Sequence, residues 1–161
     1  MKRKKKILFV YGYNDSPDSP IIKKLEKSLK EDYHIYSDYY AQYRPVDALK
    51  DLDNLVKLIH PNIVIGVELG AFLTAFLHNT RIQKILVNPI IDPVEELQQL
   101  ESIEKDETGK EVVFKLVPEY MINFYKDFNK KLDITDSSLF VINEKEKEFS
   151  KIIEENIKPI L

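Results

Sequence analysis

The chain has 161 residues, with 24 Lys and Arg against 27 Asp and Glu, and a formal net charge of -3 at pH 7. This near balance gives no electrostatic reason to expect binding to nucleic acid or to an anionic membrane. Cysteine is absent, which excludes disulfides, thiol nucleophiles and thiolate metal ligands. A chain of this length buries enough apolar surface to fold without such links, and we expect residues 1–161 to form a single domain.

The first apolar run, residues 7–11, follows a basic segment and is predicted to be the first strand. It is interrupted at Gly12 and followed by polar Asn14 and Asp15, so it is too short for the apolar core of a signal peptide. No other apolar run approaches the length of a membrane span. These features predict a cytoplasmic protein.

Helix and strand signals then alternate through the first half of the chain. Ser19 and Pro20 provide a capping residue followed by proline at the first helical position. A second strand is predicted over residues 34–37, a second helix over 46–59 and a third strand over 63–65.

The alternation continues through the second half, with turn signals between the elements. The predicted elements are a helix over 71–78, a strand over 84–87, a short helix capped by Asp92, an exposed loop or hairpin over 95–111, a short strand over 112–117, a helix over 118–129, a strand over 139–142 and a helix over 149–157. Strands alternating with helices predict an α/β fold. We expect a three-layer sandwich with a mostly parallel, doubly wound sheet of about five to six strands.

Three of the four glycines fall on two loops that follow strands. Gly12 follows the first strand, and Gly66 and Gly70 flank the turn between the third strand and the next helix. In open parallel sheets, ligands bind beyond the carboxyl ends of the strands, where the strand order reverses. The spacing therefore predicts a crevice between these two loops.

The turn itself has the sequence Gly66-Val67-Glu68-Leu69-Gly70. A strand, a glycine-flanked sharp turn and a helix form the setting of the nucleophile elbow, G-x-S-x-G. Glu68 occupies the position of the serine. The pattern thus indicates the architecture of a hydrolase site without its usual nucleophile.

Three segments in order resemble one known family. They are Val10-Tyr11-Gly12-Tyr13-Asn14-Asp15-Ser16-Pro17, the elbow with its preceding strand, and Leu86-Val87-Asn88-Pro89. Together they resemble the small bacterial YqiA-type esterases of the α/β-hydrolase superfamily, over about residues 6–100. The resemblance implies a bacterial protein with a reduced α/β-hydrolase fold.

The resemblance also implies roles for individual residues. Glu68 stands at the position of the catalytic nucleophile, and the backbone amides of Tyr13 and Leu69 stand where the oxyanion hole is built. Gly12 and Asn14 belong to the same first loop and are expected to help bind a ligand. Tyr11 replaces the histidine that commonly begins this loop.

The catalytic histidine that the resemblance implies has no counterpart. The acid and histidine of such esterases follow the last two strands, where this chain offers only Glu144, Glu146 and Glu148. Its histidines are all upstream, at positions 34, 60 and 78. We therefore expect a catalytically inactive pseudoenzyme that binds a small ligand or a protein partner.

Two alternatives remain open at this stage. The chain could be a carboxylic-ester hydrolase that uses Glu68, with Tyr11 or Tyr13 nearby, or a flavodoxin-like domain that binds a small ligand. The positive end of the helix that starts at Leu69 is expected to lower the pKa of Glu68 and oppose the first alternative.

No cofactor and no metal are expected. Asp92, Glu95 and Glu96 could be proposed as metal ligands, but a helix cap and a first-turn charge explain this acidic segment. Neither a P-loop nor a G-x-G-x-x-G fingerprint is present. The ligand or partner and the oligomeric state are not specified by these patterns.

Overall fold

A computed structural model describes residues 2–79 and 81–143 of the chain. Its strands are β1 (Lys5–Val10), β2 (Tyr33–Tyr36), β3 (Ile63–Val67), β4 (Gln83–Val87), β5 (Glu101–Lys105), β6 (Glu111–Lys115) and β7 (Leu139–Ile142). Its helices are α1 (Pro20–Leu29), α2 (Pro45–Ile59), α3 (Leu69–Ala75), α4 (Pro93–Gln98) and α5 (Glu119–Phe128). The helix predicted over 149–157 lies outside the described residues.

Five parallel strands form the central sheet in the order β2-β1-β3-β4-β7. Every residue of β3 and the last four residues of β1 are buried. Because successive side chains of a strand point to opposite faces, such runs require both faces of the sheet to be covered. The predicted α/β class, with a doubly wound parallel sheet of three layers, is confirmed.

The register of the sheet aligns the carboxyl ends of its central strands. Val10 pairs with Gly66, and Gly66 pairs in turn with Leu86. The loops that follow β1, β3 and β4 therefore leave the sheet at one edge. No helix in the described part of the chain is long and apolar enough to cross a membrane.

Two helix starts were predicted from their caps and are confirmed. Ser19 accepts a hydrogen bond from the Ile21 amide, with Pro20 at the first helical position of α1. Asp92 accepts one from the Glu95 amide at the start of α4. Proline at such a start lacks only an N–H that would have no intrahelical partner.

The elbow helix α3 begins and ends earlier than predicted. It spans Leu69–Ala75, whereas periodicity predicted residues 71–78. The ammonium group of Lys84, on β4, lies 2.8 Å from the Leu77 carbonyl oxygen and 3.3 Å from that of Ala75. A lysine that satisfies these carbonyls from another element ends the helix without a local signal in the sequence.

The acidic segment forms a hairpin that is separate from the central sheet. Strands β5 and β6 pair antiparallel, with Ile103 opposite Val113, and the turn is tied by Asp106. The hairpin alternative for this segment is confirmed, although its first residues belong to α4. The predicted short strand over 112–117 is the second arm of this hairpin, at Glu111–Lys115.

Candidate ligand-binding site

Glu68 occupies a backbone conformation that side chains rarely adopt, with φ 54° and ψ -113°. Its amide donates to the Val87 carbonyl at 3.0 Å. Its own carbonyl accepts from the amides of Ala71, Phe72 and Ile90, each at 3.1 Å. Hydrogen bonds to β4, to α3 and to the segment after β4 thus hold the residue in a strained turn, which is the defining geometry of a nucleophile elbow.

The two glycines of the elbow are required by packing. A Cβ atom on Gly70 would lie 2.3 Å from the Val10 carbonyl oxygen and 2.4 Å from that of Tyr11. A Cβ on Gly66 would lie 2.5 Å from the Gly70 carbonyl oxygen and 2.6 Å from the Cα of Ala71. The start of α3 therefore lies directly against the ends of β1 and β3, at distances that only glycine permits.

A crevice of about 650 Å³ opens beside the elbow at the carboxyl edge of the sheet. Its walls come from the loop after β1, the elbow, the segment after β4 and the base of the hairpin. The lining residues are Tyr13, Asn14, Glu68, Asn88, Ile90, Glu96, Gln99, Leu100 and Leu116. A volume of this order accommodates a small organic ligand.

The structure brings the predicted site residues together in and around this crevice. Tyr13, Asn14 and Glu68 line it. A Cβ on Gly12 would lie 3.2 Å from Oε2 of Glu68, so the first loop lies against the carboxyl group. Leu69 is fully buried and does not line the crevice. Their roles in binding a ligand stay predictions.

The amides expected at an oxyanion hole have no acceptor among the described residues. Within residues 2–79 and 81–143, neither the Tyr13 amide nor the Leu69 amide donates a hydrogen bond. Leu69 is the first residue of α3, so its N–H points out of the helix start. Of the two residues, Tyr13 lines the crevice, whereas Leu69 is fully buried behind it.

Neither tyrosine of the first loop is placed as a catalytic base. The Tyr13 hydroxyl donates to the Leu116 carbonyl at 2.8 Å. Tyr11 is buried, and its ring lies 4.8 Å from that of Tyr40. Desolvation raises the pKa of both hydroxyl groups, so both stay protonated at neutral pH.

The expectation of a lowered pKa for Glu68 is wrong. Partial burial of its carboxyl group raises the pKa above the ordinary 4.5, and the negative charge of Asp15 raises it further. No side-chain hydrogen bond caps α3 at this residue. The loss of water and the nearby like charge are therefore the causes of the raised pKa.

The three histidines lie away from the elbow. His60 ends α2 in a left-handed conformation, before β3 begins. Nδ1 of His78 lies 2.6 Å from Oδ2 of Asp53. His34 lies on the edge strand β2. None of them lines the crevice, and the acidic candidates at 144, 146 and 148 lie outside the described residues.

The acidic segment around α4 serves the local backbone. Oε2 of Glu96 accepts from the amides of Ile91 and Asp92, at 2.7 and 2.9 Å. Oδ2 of Asp92 lies 3.2 Å from Nζ of Lys131. No group of three or more metal-ligating side chains occurs in the part of the chain that the structure describes.

The other lining residues were not among those predicted to bind a ligand: Asn88, Ile90, Glu96, Gln99, Leu100 and Leu116. Asn88 carried a usable signal, because it directly follows β4 and has a left-handed φ of 44°. Asparagine adopts that conformation more readily than most residues. Leu116 carried no such signal, since its position depends on how the hairpin folds back.

A parallel sheet in this order, with a strained elbow after its third strand, defines a protein of the α/β-hydrolase fold. The chain belongs to the uncharacterised protein family UPF0227, whose profile matches residues 6–156. This confirms the resemblance to YqiA-type α/β-hydrolases. No curated protein matches the sequence.

Two solved structures show the same fold at low sequence identity. A protein of Agrobacterium vitis S4, named only as a candidate hydrolase, superposes with a TM-score of 0.63 at 8% identity, covering 98% of this chain and 88% of its own. The α/β hydrolase GrgF from Penicillium sp. sh18 gives a TM-score of 0.62 at 11% identity, with 98% and 89% covered. At these identities the likeness establishes the fold alone.

Proposed function

We propose that this hydrolase-like protein binds a small ligand in the crevice beside Glu68 and does not hydrolyse esters there. The observation that carries the proposal is the elbow itself. A carboxylate occupies the position of the nucleophilic oxygen, at the wall of a crevice whose described lining contains no histidine. The fold is retained, while the groups needed for acyl transfer are not assembled.

Electrostatics at the elbow oppose attack on an ester carbonyl. Such attack develops negative charge on the carbonyl oxygen, which the Tyr13 and Leu69 amides would have to stabilise. Glu68 and Asp15 place negative charge beside the same donors. Two like charges at short range cancel much of what the amides contribute.

Release of a covalent intermediate presents a second obstacle. An acyl group on Glu68 would form a mixed anhydride, and an alkyl group would form an ester. Either is released by water that a positioned base activates. Among the lining residues, the other carboxylate is that of Glu96, which is already engaged by two backbone amides.

The composition of the crevice favours a ligand with two different ends. Ile90, Leu100 and Leu116 provide apolar surface, whereas Glu68 provides a carboxylate with no hydrogen bond among the described residues. A ligand with an apolar body and an amine or another strong donor would match both. A carboxylate ligand would be repelled.

Saturation-transfer NMR with two matched probes tests this proposal. Benzylamine and phenylacetate share an aromatic body and differ in charge. We expect benzylamine to bind the wild-type protein and to bind Glu68→Gln about tenfold more weakly, as about 1.5 kcal/mol for a hydrogen bond to a charged group implies. Glu95→Gln, an exposed neighbour outside the crevice, is the control. Equal binding of both probes, or an equal effect of both substitutions, would contradict the proposal.

One observation favours a second candidate, an ester hydrolase that uses Glu68. The raised pKa makes this carboxylate more basic, and the strained turn presents its side chain to the crevice. Intact-mass analysis after exposure to short acyl esters distinguishes the two functions. An adduct that peptide mapping places on Glu68 would support the enzyme.

The flavodoxin-like alternative shares the observed strand order, so topology does not separate it. The elbow does, because Asp15 and Glu68 place negative charge where a phosphate would lie. Retention of a flavin on purification would reverse this conclusion.

A further inference from the structure

The hairpin β5–β6 is a two-stranded ladder with two open edges. Neither strand pairs with any other described strand. Three of its apolar residues are nevertheless exposed, with Ile103 at 65%, Val113 at 54% and Phe114 at 48%. An isolated hairpin is only marginally stable in water, and an exposed apolar edge is a template for further pairing.

The backbone groups that point outward from this hairpin can be identified. The Asp106 amide donates to the Lys110 carbonyl, and the Leu116 amide to the Leu100 carbonyl. Even-numbered residues of the ladder therefore bond inward, because bonded and non-bonded pairs alternate in antiparallel strands. On β6, the outward N–H and C=O groups are those of Glu111, Val113 and Lys115.

These three residues can pair with the same three residues of a second copy that is related by a two-fold axis. If β6 of a second copy runs antiparallel to β6 with Val113 opposite Val113, the outward groups of both strands pair. Glu111 then faces Lys115 of the second copy, and Val112 faces Phe114 of the second copy. Opposite charges and apolar pairs at directly facing positions are the contacts that stabilise a sheet.

The complementarity extends across all four strands of the resulting sheet. Within one hairpin, Lys105 already faces Glu111, and Glu101 faces Lys115. Across the two-fold axis, each charged row alternates in sign from strand to strand. The central row contains Ile103 and Val113 from both copies. No like charges face each other in these rows.

We propose that the protein forms a two-fold homodimer by antiparallel pairing of the β6 edges of two copies, which produces a four-stranded sheet. The proposal rests on the hairpin alone and is independent of the function proposed for the crevice. Such an isologous interface closes on itself, so it yields a dimer and not a fibre.

The β6 edge fits a second copy better than the β5 edge does. Pairing through β5, centred on Ile103, would also place Glu101 opposite Lys105 of the second copy. It would, however, place Glu104 opposite Ser102 of the second copy. The β6 edge offers Val112 and Phe114 at the equivalent positions, and β-branched and aromatic pairs are favoured there.

Dimerisation would stabilise the wall of the crevice that the hairpin forms. Leu100 and Leu116, at the base of the hairpin, line the crevice, and the Leu116 carbonyl accepts the Tyr13 hydroxyl. Additional hydrogen bonds on β6 oppose opening of the hairpin. Dimerisation therefore holds this wall against the first loop.

Sedimentation velocity tests the interface with a backbone substitution. We expect wild-type protein to shift from monomer to dimer between about 1 and about 100 µM, since a short strand pair buries little area. Val113→Pro removes an outward N–H that the hairpin itself does not use, and we expect it to remain monomeric. Ile103→Pro makes the same change on the β5 edge and is expected to dimerise like the wild type.

A pair of charge variants tests the register. Glu111→Lys alone places Lys opposite Lys in its own dimer, and Lys115→Glu alone places Glu opposite Glu. Each is expected to dimerise about tenfold more weakly than the wild type. An equimolar mixture restores opposite charges across the two-fold axis, so we expect the mixed dimer to form more tightly than the dimer of either variant alone. Each variant keeps the like charges within its own hairpin, opposite Lys105 or Glu101, so the comparison is between variants. Circular dichroism checks that every variant is folded.

The outcomes are distinguishable. A wild-type monomer at all concentrations would overturn the proposal. A dimer that survives Val113→Pro, or that Ile103→Pro disrupts equally, would place the interface elsewhere and overturn it too. Failure of the charge variants to recover on mixing would contradict the register. The crevice can bind its ligand in every case.

Discussion

The backbone of Glu68 is strained because a residue with a side chain occupies a conformation that suits glycine. Glycine adopts φ 54°, ψ -113° without that strain, because it has no Cβ. A non-glycine residue in such a region costs about 1–3 kcal/mol. The conformation persists here because hydrogen bonds from neighbouring elements hold it.

Comparing Gly with Ala at position 68 measures this strain. We expect Glu68→Gly to be more stable than Glu68→Ala by about 1–2 kcal/mol. In a chain of this size, each kcal/mol of stability raises the melting temperature by about 2–4 °C. At exposed Lys50, within α2, we expect the opposite result: Lys50→Ala should be more stable than Lys50→Gly by about 1 kcal/mol. The same order at both positions in thermal melts would show that residue 68 is not strained.

The raised pKa of Glu68 makes stability depend on pH. Because its carboxyl group binds protons more tightly in the folded protein than the ordinary 4.5 allows, the folded state loses stability as pH rises from that value through the folded pKa. Glu68→Gln removes this loss. Relative to the wild type, the variant should therefore gain stability from about pH 4 to about pH 7 in urea unfolding.

The substitution Asp15→Asn provides the control for this effect. It removes one cause of the raised pKa of Glu68. In the Asp15→Asn background, Glu68→Gln should therefore gain less stability between about pH 4 and about pH 7 than it gains in the wild-type background. Asp18→Asn, in the same loop, should leave the advantage unchanged. An advantage that is constant with pH would show that Glu68 titrates normally.

At the level of elements, the elbow depends on how closely α3 approaches the strands. A Cβ on Gly70 would meet backbone oxygens at 2.3 and 2.4 Å, whereas one on Gly12 would meet its nearest neighbours at 3.2 and 3.3 Å. We expect Gly70→Ala to destabilise the fold by about 3 kcal/mol and Gly12→Ala by less than about 1 kcal/mol. Equal unfolding free energies for the two variants would contradict this close packing.

Elements with local signals could be predicted from the sequence. The starts of α1 and α4 follow from Ser19-Pro20 and Asp92-Pro93, where the cap and the proline act within one turn. The end of α3 could not, because the group that satisfies its carbonyls belongs to Lys84 on another strand. Boundaries set by tertiary contacts have no local signature.

For the whole molecule, the sequence predicted the fold and the edge of the sheet where the crevice lies. The first loop and the elbow meet there because their strands are neighbours, and Gly12 lies against Glu68. The hairpin wall could not be predicted, since Leu116 reaches Tyr13 across 103 residues of chain. The expectation for the pKa of Glu68 rested on helix polarity alone, and the sequence does not show how far the folded chain buries this carboxyl group.

The fold is that of a hydrolase, whereas the site lacks the usual catalytic residues of one. The elbow, the sheet order and membership of UPF0227 establish a hydrolase-like architecture. The carboxylate at position 68 and a described crevice without histidine favour binding over catalysis. We therefore propose that this architecture binds a ligand and does not catalyse acyl transfer.

Turnover of short p-nitrophenyl esters tests this proposal, with wild-type protein, Glu68→Ala and Glu95→Ala compared at the same concentration. We expect all three to release p-nitrophenol no faster than buffer does, because no histidine lines the described crevice to activate a nucleophile or a water. Turnover by the wild type and Glu95→Ala that is lost in Glu68→Ala would contradict it and identify Glu68 as a catalytic residue.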